Sequence, residues 1–82
     1  MNQRIEKYVQ ELHEFGVSHE AVEQSERIFE AVPEIKDELC NPTVDISRKH
    51  TIADTVFPSE VRDFLKLICD DDDADLISSV FA

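Results

Sequence analysis

The sequence predicts an all-α protein, a compact six-helix bundle forming one domain over residues 1–82. Three observations predict it. Apolar residues recur at helical spacing through most of the chain. Turn formers are scarce, with one Gly and three Pro, whereas a many-stranded β fold needs them at every connection. The length suits a single domain with a thin core, since a chain of this size buries only roughly 60–65% of its unfolded surface.

The first helix is predicted over Gln3 to Phe15, where Ile5, Tyr8, Val9, Leu12 and Phe15 make one apolar stripe. Gly16 suits the position just past its end. Ser18 is a good N-cap for the second helix, whose stripe is Ala21, Val22, Ser25, Ile28, Phe29 and Val32. Pro33 fits the first turn of a short third helix ending at Leu39, with Ile35 and Leu39 as its apolar pair. Pro42 disfavours helix at Asn41 and stops it. Asp45 is placed to cap a fourth helix, Ile46 to Phe57, with Val44 packing back on it. Ile46, Ile52, Ala53, Val56 and Phe57 are its expected buried face, and Pro58 ends it. Ser59 and Glu60 open the fifth helix, with Val61, Phe64, Leu65 and Ile68 as the stripe and Leu67 at its margin. Asp70 to Asp73 end it, because adjacent acids oppose a helix C-terminus. Ala74 to Phe81 is a last short helix carrying Leu76, Ile77, Val80 and Phe81.

The net charge of −11 narrows the partners. Residues 1–43 carry 10 acids and 4 bases, and residues 60–82 carry 7 and 2. Such a surface repels phosphate and anionic headgroups, which argues against nucleic acid and membrane surfaces and toward a neutral or basic protein. The longest apolar run falls far below the ~20 residues of a membrane span, so no membrane insertion is expected. Two cysteines, Cys40 and Cys69, are too few for a disulfide scaffold and suit a reduced, intracellular setting.

No motif carries catalysis. His19-Glu20-Ala21-Val22-Glu23 resembles half of a zinc-protease motif, but Glu23 stands where the second His belongs. Asp71, Asp73 and Asp75 alternate like the start of a calcium loop, yet Leu76 takes the place of its turn glycine; a solvated turn is expected there. Cys69 has no neighbouring cation in sequence to lower its pKa. The expectation is a non-enzyme without metal or cofactor, monomeric on its own. The first and fifth helices carry wide apolar faces with Tyr8, Phe15 and Phe64, so a groove between them could accept an amphipathic helix of a partner.

Several stretches then fit together. Tyr8 and Leu12 form a Tyr-x-x-x-Leu pair. Pro33 to Val44 reads as a short helix, Asn-Pro and a small apolar residue. Arg48 and Lys49 are basic, Phe57 ends the fourth helix, and Asp63-Phe64-Leu65-Lys66-Leu67-Ile68 runs along the fifth. Together they resemble the N-terminal six-helix domain of the F-type ATP synthase delta subunit, called OSCP in mitochondria. The resemblance covers nearly all of these 82 residues; family members continue into a stalk-binding second domain, which these residues do not include. It implies a non-catalytic stator or connector role. The domain would bind the N-terminal helix of an alpha subunit between its first and fifth helices. The partner-binding candidates it implies are Tyr8, Val9, Leu12, Val61, Phe64, Leu65 and Ile68. It further implies a cytoplasmic location, peripheral to the inner face of the cell membrane within a complex. The alternative expectation is a stand-alone acidic adaptor or regulator using the same groove for another amphipathic helix.

Overall fold

A computed structural model describes residues 3–81. Six α-helices form a small bundle, and no strand occurs among the described residues. They are α1 (Gln3–Glu14), α2 (His19–Ala31), α3 (Pro33–Cys40), α4 (Ile46–Val56), α5 (Ser59–Asp70) and α6 (Ile77–Phe81), the last preceded by a single 3-10 turn, Ala74–Leu76.

Local chemistry sets the boundaries. Gly16 takes φ +69, and the amides of Gly16 and Val17 donate to the carbonyls of His13 and Leu12. These are the paired bonds of a left-handed helix cap, which a residue without Cβ adopts at least cost. The Ser18 hydroxyl accepts from the Ala21 amide at 3.1 Å and opens α2. Pro33 opens α3. Asn41 is extended, with φ −78 and ψ 116, and its side chain accepts from both the amide and the hydroxyl of Thr43. The Asn-Pro stretch is therefore a side-chain-supported turn, and it swings the chain from α3 into α4.

Three expected details differ. Asp45 takes the cap position of α4 through its backbone carbonyl, which accepts from Arg48 and Lys49, while its carboxylate does not cap. Pro58, not Ser59, occupies the cap position of α5, and Ser59 is the first helical residue. Ile46, Val56 and Val32 are exposed rather than buried. Each stands at a helix end, where fewer neighbours reach it, while Phe57 is buried as expected and Lys49, not in the expected face, is buried with it. Lys49 can do this because a lysine stem is four methylenes long.

The core is organised around α5, which packs most extensively on α4 and also touches α2 and α1. Its whole predicted stripe, Val61, Phe64, Leu65 and Ile68, is fully buried, with Cys69 beside it. Phe64 is the aromatic hub: Tyr8 and Phe15 meet it edge-on at 6.2 and 6.5 Å between ring centroids, and Phe81 lies 6.2 Å away. A second pair, Phe29 and Phe57, joins α2 to the end of α4 at 5.2 Å. Inside α2 the buried Ser25 hydroxyl donates to the Ala21 carbonyl at 2.8 Å, so it is satisfied without a partner helix.

Candidate partner-binding face along α1

α1, like α3, contributes a single fully buried residue. It packs against α6 and α5, and Tyr8 is its one fully buried residue. Ile5 and Leu12 lie partly buried against the core. Val9 remains 37% exposed and Phe15 44% exposed. The sequence gives α1 more apolar surface than the bundle covers.

The Tyr8 hydroxyl provides the polar anchor. It lies 2.6 Å from Asp73 Oδ2 and 2.9 Å from Asp71 Oδ2, so one phenolic hydrogen faces two carboxylate acceptors. Arg4 Nη1 stands 3.0 Å from the other oxygen of Asp73 and supplies a countercharge. Burial, then the carboxylates of Asp73 and Asp71, push the Tyr8 phenol far above its ordinary range. It stays a neutral donor at any physiological pH.

The Asp run is thus no simple solvated turn. Asp72 takes φ +58, and the amides of Asp72 and Asp73 donate to the carbonyls of Cys69 and Ile68. This is the hydrogen-bond pattern found at Gly16, built here on an aspartate, one of the few L-residues that tolerate a left-handed backbone. The cap turns Asp73 inward to only 9% exposure, where Tyr8 meets it.

The seven residues implied for partner contact divide sharply. Val61, Phe64, Leu65 and Ile68 are 0% exposed and Tyr8 is 1% exposed, so in this structure they belong to the core and do not line an open groove, with Phe64 packed against Tyr8. An 82-residue chain has little core to spare, and the widest stripe is consumed first. Val9 and the partly buried Leu12 remain reachable, joined by Phe15 at the helix end. Asp71 and Asp73 were missing from that set. The only signal for them in sequence was an unusual acid run, whose partners lie more than sixty residues away.

The histidines and thiols complete the picture. His19 Nε2 lies 3.2 Å from Glu23, so the half-motif is a helix-surface pair. His50 Nε2 lies 2.7 Å from Asp70. Burial pushes the Cys69 thiol up to about 11, against the pull of nearby Lys49, and burial raises Cys40 as well. Neither thiol is activated. No helix among the described residues is long and apolar enough to cross a membrane. No family model, curated protein or solved structure matches the chain.

Proposed function

We propose that this chain is a non-catalytic interaction domain that docks an amphipathic helix of a partner protein beside α1. One observation carries the reading: α1 leaves Val9 and Phe15 exposed at 37% and 44% while its anchor, Tyr8, is locked into the core. A partner helix laid there would cover apolar surface that the bundle leaves open, in the manner of helix-in-groove recognition. The excess of acids over bases in residues 1–43 favours a partner with basic residues flanking its apolar stripe.

The resemblance to the ATP synthase delta subunit names one such partner, the N-terminal helix of an alpha subunit. In that form the domain is a stator connector, held in a complex at the cytoplasmic side of the membrane. The six-helix order and the Asn-Pro turn favour it. The stand-alone adaptor is the second reading, and the same exposed residues serve it.

A ¹⁵N chemical-shift titration separates these. With a synthetic peptide of the alpha-subunit N-terminal helix, the stator form expects shifts clustered on residues 5–15, weakened by Val9→Glu with the fold intact. A generic basic amphipathic helix that shifts the same residues, while the alpha-subunit peptide does not, assigns the adaptor. Silence of α1 toward both peptides would sink the docking proposal.

A further inference from the structure

A second surface lies away from the exposed residues of α1. Between α2, α3 and α6 runs a cleft of about 270 Å³. Phe29, Ile77 and Phe81 form its apolar inner wall. Ile77 is 0% and Phe81 9% exposed, so both belong to the core, and Phe29 packs partly buried against it. Glu26 and Glu30, both exposed, stand over it from α2. Lys36 is the one cation in the lining, and it donates to the Ser78 hydroxyl rather than pairing with either glutamate.

The two glutamates are badly placed for the helix that carries them. They are spaced i,i+4, where like charges repel. Glu30 also sits in the last turn of α2, which holds no basic residue, so its charge opposes the helix dipole. Neither has an ion-pair partner among the described residues. Two carboxylates without ion-pair partners among the described residues thus stand at the mouth of an apolar cleft.

We infer that this cleft receives a bulky apolar side chain of a partner protein whose basic residues, within a turn of that anchor, pair with Glu26 and Glu30. At about 270 Å³ the cleft has room for one bulky side chain. The charge decides for a basic segment: −11 over the molecule, and two unneutralised carboxylates at the mouth. The site uses none of the α1 residues of the proposed docking face, so either surface can fail without the other.

The test is a ¹⁵N titration with a short amidated peptide holding one Leu among Arg residues, run beside a Glu-for-Arg twin and a Leu-to-Ala twin. Expected are shifts confined to residues 26–30, Lys36 and 77–81, with affinity falling about tenfold for the Ala twin and no binding by the Glu twin. Two variants of the protein check the site. Ser78→Trp fills the cleft and should abolish the shifts. Glu26→Gln with Glu30→Gln is a surface change that keeps the fold, and should weaken binding about tenfold at low salt. Undiminished binding by the glutamine variant, equal affinity for the Ala twin, shifts spread over α1 or the Asp70–Asp73 turn, or no shifts at all would each overturn the assignment.

Discussion

Tyr8 is the residue on which α1 depends. Its ring packs edge-on to Phe64 and its hydroxyl meets Asp71 and Asp73. Tyr8→Phe keeps the ring and removes the donor, leaving a buried carboxylate short of a partner. Hydrogen bonds to charged groups contribute about 1.5–3 kcal/mol, so a loss of that size in urea unfolding at neutral pH is expected. The pH dependence follows from the same contact. A phenol whose folded pKa lies above its ordinary 10.0 contributes stability that is complete below pH 10 and lost as pH rises beyond it. Cys69, pushed from 9.0 up to about 11, adds a loss between those values. The melting temperature should therefore fall from about pH 9 upward, and Tyr8→Phe should remove the part that begins near pH 10. Two backbone positions make a reciprocal pair. Asp72→Gly relieves a left-handed L-residue at φ +58 and should stabilise by about 1 kcal/mol. Gly16→Ala imposes the same strain at φ +69, where an added Cβ meets nothing within 4 Å, and should cost about 1–2 kcal/mol from the backbone alone.

At the scale of elements, burial ranks the helices. α5 contributes five buried residues and α1 one. Local opening follows buried contact, so amide hydrogen exchange should be slowest in α5 and faster throughout α1. Equal protection of the two would mean that Tyr8 and its carboxylates hold α1 as firmly as a full apolar face. This ranking also shows what the sequence could and could not reveal. Helix starts and stops were legible because their causes are local: Ser18, Pro33, the Asn41-Pro42 turn and Gly16 act within four residues of where they stand. The stripe of α5 was legible through its period. Whether that stripe faces core or partner was not, because periodicity marks a face without saying what covers it. Nor was the role of Asp73, which depends on a tyrosine at the other end of the chain. The cleft over Phe29, Ile77 and Phe81 joins three helices distant in sequence, and only packing brings them together.

For the whole molecule, charge is the dominant feature. At 10 mM salt the Debye length of ~30 Å exceeds the longest dimension, 27 Å, so each of the 19 acids acts on all the others. Near 150 mM it shrinks to ~8 Å and only neighbours interact. Self-repulsion should therefore ease with salt, and the melting temperature at pH 7 should rise steadily between those concentrations. A flat profile would show that local ion pairs such as Arg4 with Asp73 and Lys66 with Asp54 offset the net charge.

The bonds from Arg4 and Tyr8 to Asp71 and Asp73 span 63 to 69 residues of sequence, and this sets an order of events during synthesis. At about 5–20 residues per second, a ribosome needs about 3–13 s after adding Tyr8 before Asp71 exists to receive it. Over that interval the aromatic residues of α1 and its end have no seat, since Phe64 also comes late. A nascent chain stalled before residue 71 would hold α1 uncovered for as long as the stall lasts. It would be a ready target for chaperones and for aggregation, until Asp71 and Asp73 arrive to hold Tyr8 and Arg4.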